Sequence, residues 1–213
     1  MTTPFLTIAQ NTKNEMVIKK SRFICSIGRV SSEDEAQAFI DQVCSDNKKA
    51  THNCYAYMIG DQDQIQRESD NGEPSGTAGV PILESLQMAK IHNVVAVVTR
   101  YFGGIKLGAG GLIRAYSNSA TNAIHKAGLV QLVQQAILEI TVSYSQHDPL
   151  LHYLKEQKIE VADEQFSASV QTNIYVDEDQ VDNFTKKLIN RFNDQLTIKK
   201  GTLRIHEIPY QAD

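Results

Sequence analysis

The strongest constraint on the fold is a strand, a glycine-rich turn and a helix that follow one another within residues 94–127. Residues 94–101 have the apolar run of a buried strand, and residues 112–127 have the spacing of a helix that Gly128 closes. Nine of the twelve glycines lie within residues 60–111. Because glycine serves where the backbone takes a positive φ or approaches another group closely, we expect function in this part of the chain.

The order of the predicted elements divides the chain into two parts. Residues 1–133 form a mixed pattern of strands and helices. Residues 134–213 follow the order β-α-β-β-α-β, which is the split βαβ or ferredoxin-like arrangement. A polar stretch at residues 131–135 predicts the boundary between them. We therefore predict an α+β protein with an N-terminal domain, residues 1–133, and a ferredoxin-like C-terminal domain, residues 134–213.

Charge is distributed unevenly between the two parts. Residues 1–135 carry 13 Lys/Arg and 12 Asp/Glu, and residues 136–213 carry 8 and 13, so the net charges are +1 and −5. Sequence-independent nucleic-acid binding needs a surplus of cations to neutralise phosphates. The second part is therefore unsuited to that role, and its acids favour a basic protein partner.

Location and redox state follow from what the chain lacks. No apolar run approaches the roughly 20 residues that a membrane span needs, and residues 1–4 lack the basic and apolar regions of a signal peptide. The three cysteines, Cys25, Cys44 and Cys54, are odd in number and show no CxxC spacing, which is typical of reduced thiols. The sequence predicts a cytoplasmic protein without membrane contact, metal or cofactor.

The glycine-rich turn predicts an anion site. A turn that begins a helix exposes backbone N–H groups beside the positive end of the helix dipole. The glycines match neither the Walker A motif nor the dinucleotide fingerprint, so a tight structural turn is the alternative. We expect a positive φ at Gly110, and stacking surfaces for bases at Tyr101, Phe102 and Tyr116. The candidate ligand- or phosphate-binding residues are Arg100, Tyr101, Gly103, Gly104, Lys106, Gly108, Gly110, Gly111, Arg114 and Tyr116.

Residues 60–79 are predicted to be one long polar loop, which in a compact domain is typical of a functional segment. Asp70 and Glu73 could hold a divalent cation or act as acid and base. No third metal ligand is evident, and the alternative is a solvated loop with Asx-type turns.

Two catalytic constellations can be drawn around this loop. His52 and Cys54 share one face of a strand and could form a nucleophile pair, although neighbours on one face point in parallel. Ser75, His52 and Asp70 could form a triad, although no GxSxG elbow accompanies the serine. The candidate residues of the loop region are His52, Asp70, Glu73 and Ser75.

Four segments of the first part form a longer pattern. They are Ser21-Arg22-Phe23-Ile24, His52-x-Cys54-x-Ala56-Tyr57, the continuous run Ser69 to Gly79, and Arg100-Tyr101-Phe102-Gly103-Gly104-x-x-Leu107-Gly108-x-Gly110-Gly111-Leu112-x-Arg114-Ala115-Tyr116. On these residues the chain resembles the IMPACT family, whose bacterial members are called YigZ-like. The resemblance implies a first domain similar to the second domain of ribosomal protein S5, and a second similar to the C-terminal domain of elongation factor G.

The resemblance also implies a role linked to translation, because eukaryotic relatives regulate translation and the S5-like superfamily includes RNA-binding proteins and small-molecule kinases. The leading hypothesis is a non-enzymatic protein whose first domain binds RNA or the ribosome through phosphate contacts at the glycine-rich segment. One alternative is a small-molecule phosphotransferase, or another enzyme, that uses the same segment. Another is a regulatory interaction module whose acidic second domain binds a protein partner.

Overall fold

The computed structural model describes residues 5–210, and these form an α+β fold with antiparallel sheets, as predicted. The first elements are β1 (Phe5–Ile8), β2 (Thr12–Ile18), β3 (Ser21–Arg29), α1 (Glu33–Asp46), β4 (His52–Ile59), β5 (Ile65–Ser69), α2 (Gly79–Met88), β6 (Val94–Tyr101) and α3 (Ala109–Ala127). The later ones are β7 (Leu129–Val142), α4 (Tyr144–Glu156), β8 (Val161–Phe166), β9 (Val170–Asp177), a 3₁₀ turn (Glu178–Gln180), α5 (Val181–Arg191) and β10 (Leu196–Tyr210).

Contacts divide the chain into two compact units. The first unit extends to Leu132 and includes a C-terminal segment from Ile208, and the second unit is Val133–Glu207. Residues 131–135, where the boundary between the two parts was predicted, lie within β7. Independent folding of the two predicted domains, residues 1–133 and 134–213, stays a prediction. None of the helices within residues 5–210 is long and apolar enough to cross a membrane.

The first unit is built on a sheet in the order β2-β3-β6-β4-β5, with every neighbouring pair antiparallel. The central strand β6 is buried on both faces, because Val94, Ala96 and Val98 pack with α2 and α3 while Val95 and Val97 pack with α1. This alternation continues to the end of the strand. It directs two neighbouring polar side chains, those of residues 100 and 101, to opposite faces of the sheet.

Two local predictions were wrong for identifiable reasons. The predicted loop, residues 60–79, contains β5, which pairs with β4. This edge strand is polar apart from Ile65, so it lacks the alternation that reveals a strand. Helix α3 begins at Ala109, three residues before the predicted start, because Gly110 and Gly111 have low helix propensity and hide its first turn.

The second unit has the predicted ferredoxin-like order, with β10 and β9 on either side of β7 and β8 beyond β9. Its core joins β7 and β9 to the two helices, through residues such as Leu138, Ile174, Leu150 and Leu188. Strand β10 continues without interruption through Gly201. A Cβ at Gly201 would collide with the side chain of Ile137 on β7, so the glycine serves close packing of the two strands.

Candidate functional site

A buried ion pair lies where β6 ends beneath the polar loop. The Arg100 Nη1 donates to Glu73 Oε1 at 2.6 Å, and the Tyr116 hydroxyl donates to the same oxygen at 2.8 Å. The side chains of Arg100 and Glu73 are 6% and 3% exposed. Charges this deeply buried require partners. The three residues therefore join the end of β6, the polar loop and α3.

Aromatic rings complete the surroundings of Arg100. Its guanidinium carbon lies 5.4 Å from the ring centroids of both Phe23 and Phe102, within range of a cation–π interaction. Its buried Nε has no hydrogen-bond acceptor among residues 5–210. Arg100 is thus held from inside the protein, and it forms the floor of the site.

The stacking role expected for Tyr116 is wrong. The residue is fully buried, and its ring packs edge-on against Phe23 with the centroids 5.4 Å apart. Burial, and then the neighbouring Cys54 and Glu73, raise the pKa of the Tyr116 hydroxyl. The hydroxyl is therefore a neutral hydrogen-bond donor to Glu73 and has no surface to offer a ligand.

Asp70 organises the polar loop from within. Its Oδ1 accepts from the N–H groups of Ala78 and Gly79, both at 2.9 Å, and its Oδ2 accepts from Gly76 at 2.8 Å. Burial acts to raise the pKa of Asp70, but these backbone donors more than offset it and lower the pKa overall. With its oxygens engaged, Asp70 is a structural carboxylate and is unsuited to the metal or acid–base roles expected of it.

The catalytic constellations drawn from the sequence do not form. His52 Nδ1 donates to the Asn71 carbonyl at 2.9 Å, and the Cys54 thiol donates to the Asp70 carbonyl at 2.9 Å. Burial raises the pKa of Cys54 to about 12, so its thiol stays protonated at neutral pH and is a poor nucleophile. Ser75 is exposed on the loop, and the Asp70 carboxylate that a triad would need is engaged elsewhere.

Metal binding finds no support in the same residues. Glu73 Oε1 is occupied by Arg100 and Tyr116, and lies 3.9 Å from His52 Nε2. Across residues 5–210 there is no group of three or more His, Cys, Asp or Glu side chains that could hold an ion.

The glycines of residues 103–111 fall into two kinds. A Cβ at Gly103 would collide with the backbone of Lys20, so this glycine permits close packing of two chain segments. Gly104 and Gly108 take positive φ values of 84° and 72°, and open space surrounds both. Gly110 has a helical backbone, so the expected positive φ is wrong, and no atom lies within 4 Å of its Cβ position. Neither the backbone conformation nor a close contact therefore requires glycine at position 110.

The N-terminus of α3 leaves backbone donors without partners inside the helix. Its first internal bond is from Leu112 N–H to the Gly108 carbonyl at 2.9 Å. The N–H groups of Ala109, Gly110 and Gly111 precede that bond and have no carbonyl one turn earlier. The N-cap, Gly108, has no side chain that could accept from them.

A pocket of about 440 Å³ opens beside this helix end. It is lined by Thr51, His52, Glu73, Pro74, Arg100, Phe102, Lys106, Leu107, Gly108, Ala109 and Leu112. Its walls are largely apolar, and Phe102 is 46% exposed at its edge. Thr51, Pro74, Leu107, Ala109 and Leu112 were not among the predicted site residues. Pro74, Leu107 and Leu112 belong to the four motif segments of the sequence, so the motifs were a signal that could have identified them as site residues.

Two other predicted residues lie away from the pocket lining. Tyr101 extends from the opposite face of the sheet, where its hydroxyl donates to Asn47 Oδ1 at 2.9 Å and the Arg22 guanidinium lies over its ring. Arg114 is exposed on α3 and is not part of the lining. The structure therefore gathers Arg100, Lys106 and Gly108 and separates them from these two.

Comparisons with known proteins identify related sequences for both parts of the chain. The Impact N-terminal domain matches residues 19–124, and a domain of unknown function, DUF1949, matches residues 140–195. IMPACT family member YvyE of Bacillus subtilis (strain 168) is 42% identical over 199 residues, which are 93% of this chain and 92% of that protein. IMPACT family member YigZ of Escherichia coli (strain K12) is 41% identical over 111 residues, 51% of this chain and 54% of that protein.

A solved structure supports the fold. The crystal structure of a hypothetical protein is similar to this chain with a TM-score of 0.61 and 28% sequence identity. The similarity covers 95% of this chain and 99% of that one.

Proposed function

The chain belongs to the IMPACT family, and from this premise we propose that it is a non-enzymatic regulatory protein that binds single-stranded RNA in translation. Family membership fits a regulatory, non-enzymatic role. The RNA would lie across the pocket of the first unit, with a phosphate at the N-terminus of α3. One observation supports this proposal most strongly. Helix N–H groups without a partner inside the helix, a glycine surrounded by open space and a pocket with apolar walls lie at the same place.

The helix end suits a phosphate. Partial positive charge at a helix N-terminus favours an anion, and Lys106 lines the pocket beside it. Gly110 leaves its surroundings open to 4 Å, so a phosphate oxygen can approach the backbone closely. Because Arg100 is paired with Glu73, the phosphate contacts are assigned to the backbone and Lys106.

The neighbouring groups support binding over catalysis. The Cys54 thiol is buried with a raised pKa, Asp70 is held by backbone donors, and His52 Nδ1 is held by a carbonyl. The half-exposed ring of Phe102 supplies a surface on which a base can stack, and such stacking tolerates any sequence.

A salt titration tests the proposal. Binding of the full chain to single-stranded RNA is measured by fluorescence anisotropy for the wild type, Lys106→Gln and Lys126→Gln. Loss of one phosphate contact lowers the slope of log affinity against log salt by about 0.7. We expect this decrease in Lys106→Gln. We expect no change in Lys126→Gln, whose exposed lysine lies at the opposite end of α3.

Two outcomes would overturn the proposal. One is the absence of wild-type binding at low salt. The other is an equal slope in both variants, which would place the RNA away from the helix N-terminus.

A further inference from the structure

A second cleft lies wholly within the second unit, and the proposed function does not use it. Its volume is about 640 Å³, within the range typical of small-molecule sites. Residues from β7, β9, α5 and β10 line it, together with the segment between α4 and β8. At this place β9 lacks a neighbour on one side, because β8 pairs with it only up to Ile174 while β7 pairs up to Asp177.

The cleft concentrates positive charge in an acidic unit. Residues 133–207 contain eight Lys/Arg and twelve Asp/Glu. The basic residues that line the cleft are Lys158, Lys187, Arg204 and His206, and the acids are Glu160 and Asp177. Three Lys/Arg therefore face two acids in the lining, and one of these acids, Asp177, accepts through Oδ1 from the Gln135 amide at 2.9 Å. The local balance therefore favours an anion, in contrast to the unit as a whole.

Arg204 is fixed in position at this cleft. Its Nε and Nη2 donate to Gln135 Oε1 at 3.2 and 2.9 Å. Its guanidinium carbon lies 3.2 Å from the centroid of the Tyr175 ring. Neither contact uses Nη1. A guanidinium held in this way loses little freedom when it binds a phosphate or carboxylate.

The rest of the lining suits an organic group. Phe184 is 7% exposed and forms an apolar wall with Ile159 and Val161, while Asn183 and Gln180 supply amide donors and acceptors. Apolar walls with a few placed polar groups are typical of sites that bind small organic molecules. An inorganic ion would fill only a small part of a cleft of this size.

We propose that the cleft binds a nucleoside monophosphate, with the phosphate on the basic side chains and the base against the apolar wall. A monoester carries a charge of about −1.5 to −2 at neutral pH. Three Lys/Arg and a histidine against two acids leave a surplus of positive charge that suits a single phosphate. This site goes beyond the proposed function and does not depend on it.

Isothermal titration calorimetry of the full chain with AMP and GMP tests the site. Adenosine, which has the base without the phosphate, and inorganic phosphate, which has no base, are the controls. We expect one of the nucleotides to bind and both controls to bind at least about tenfold more weakly, because adenosine lacks the charged phosphate and inorganic phosphate lacks the base. Lys187→Gln and Arg204→Gln should each weaken binding about tenfold. Lys186→Gln, the adjacent exposed lysine outside the lining, should not.

Failure of this site is distinguishable from failure of RNA binding. Lys106→Gln should leave nucleotide affinity unchanged, and Lys187→Gln should leave the salt slope of RNA binding unchanged. The proposal is overturned if neither nucleotide binds, if phosphate alone binds as tightly as the nucleotides, or if Lys186→Gln and Lys187→Gln weaken binding equally.

Discussion

The polar loop that remains between β5 and α2 (residues 69–79) and the glycine-rich segment (residues 103–111) each contain several glycines. Their backbone N–H groups nevertheless have different partners. In the polar loop, Asp70 accepts from Gly76, Ala78 and Gly79 and leads the chain into α2. The glycine-rich segment contains no acid, and the first three N–H groups of α3 remain without a partner inside the helix. An internal carboxylate thus makes one glycine-containing loop structural, and its absence leaves the other suited to an external anion.

The polar loop meets the end of β6, the strand that leads into the glycine-rich segment, at the buried pair of Glu73 and Arg100. Breaking that pair should therefore have the largest effect on stability. In Glu73→Gln the Arg100 charge would remain buried without a counter-charge, which costs about 3–5 kcal/mol in free energy of unfolding. Equilibrium denaturation by urea measures this loss.

An exposed ion pair supplies the matched control. Arg22 Nε donates to Glu15 Oε1 at 2.9 Å, with the two side chains 51% and 44% exposed. Glu15→Gln should therefore lower the free energy of unfolding far less than Glu73→Gln does. Similar losses in the two variants would mean that the buried pair stabilises the fold no more than an exposed pair does.

Removing the internal carboxylate should have the next largest effect. Asp70→Asn keeps the shape but loses acceptor capacity for the loop N–H groups, which should lower the free energy of unfolding by about 1–3 kcal/mol. Asp61→Asn, an exposed aspartate outside this loop, is the control and should be near neutral.

The same variant has a defined pH dependence. Backbone donors lower the pKa of Asp70 below its unfolded value despite its burial, so the ionised carboxylate stabilises the fold above that unfolded value, near pH 4. The stabilisation is lost as the pH falls through the lower, folded pKa. The gap between wild type and Asp70→Asn should be full at neutral pH and shrink below about pH 4. A gap that is independent of pH would contradict the assignment.

Sequence patterns predicted the fold where a residue's neighbours along the chain determine its structure. The bounds of β6 are as predicted, because an apolar run reveals this buried strand. Ser32 caps α1 by accepting from Glu35 N–H, as its position before three acids indicates. Strand β5 escaped prediction, since an edge strand forms through its partner and its own residues are polar.

The site was only partly predictable, because its contacts join distant residues. Arg100 lies 27 residues from Glu73, and Tyr116 lies 43 residues from it. Arginine is usually exposed, so residue type alone placed Arg100 on the surface. The register of β6 between β3 and β4 directs it inward, and such register follows from the assembled sheet.

The smallest effect on stability should come from Gly110→Ala, which decides whether the open helix end is functional. Alanine adds one methyl group in a place with no atom within 4 Å, and it favours the helix by up to about 1 kcal/mol over glycine. We therefore expect the melting temperature to stay the same or rise while RNA affinity falls, because the methyl group obstructs approach to the helix N–H groups. Asn118→Ala, at an exposed position further along α3, adds helix propensity without touching that end and should leave binding unchanged. If Gly110→Ala binds RNA as tightly as the wild type, the glycine is not there for a ligand and the contrast between the two segments is structural only.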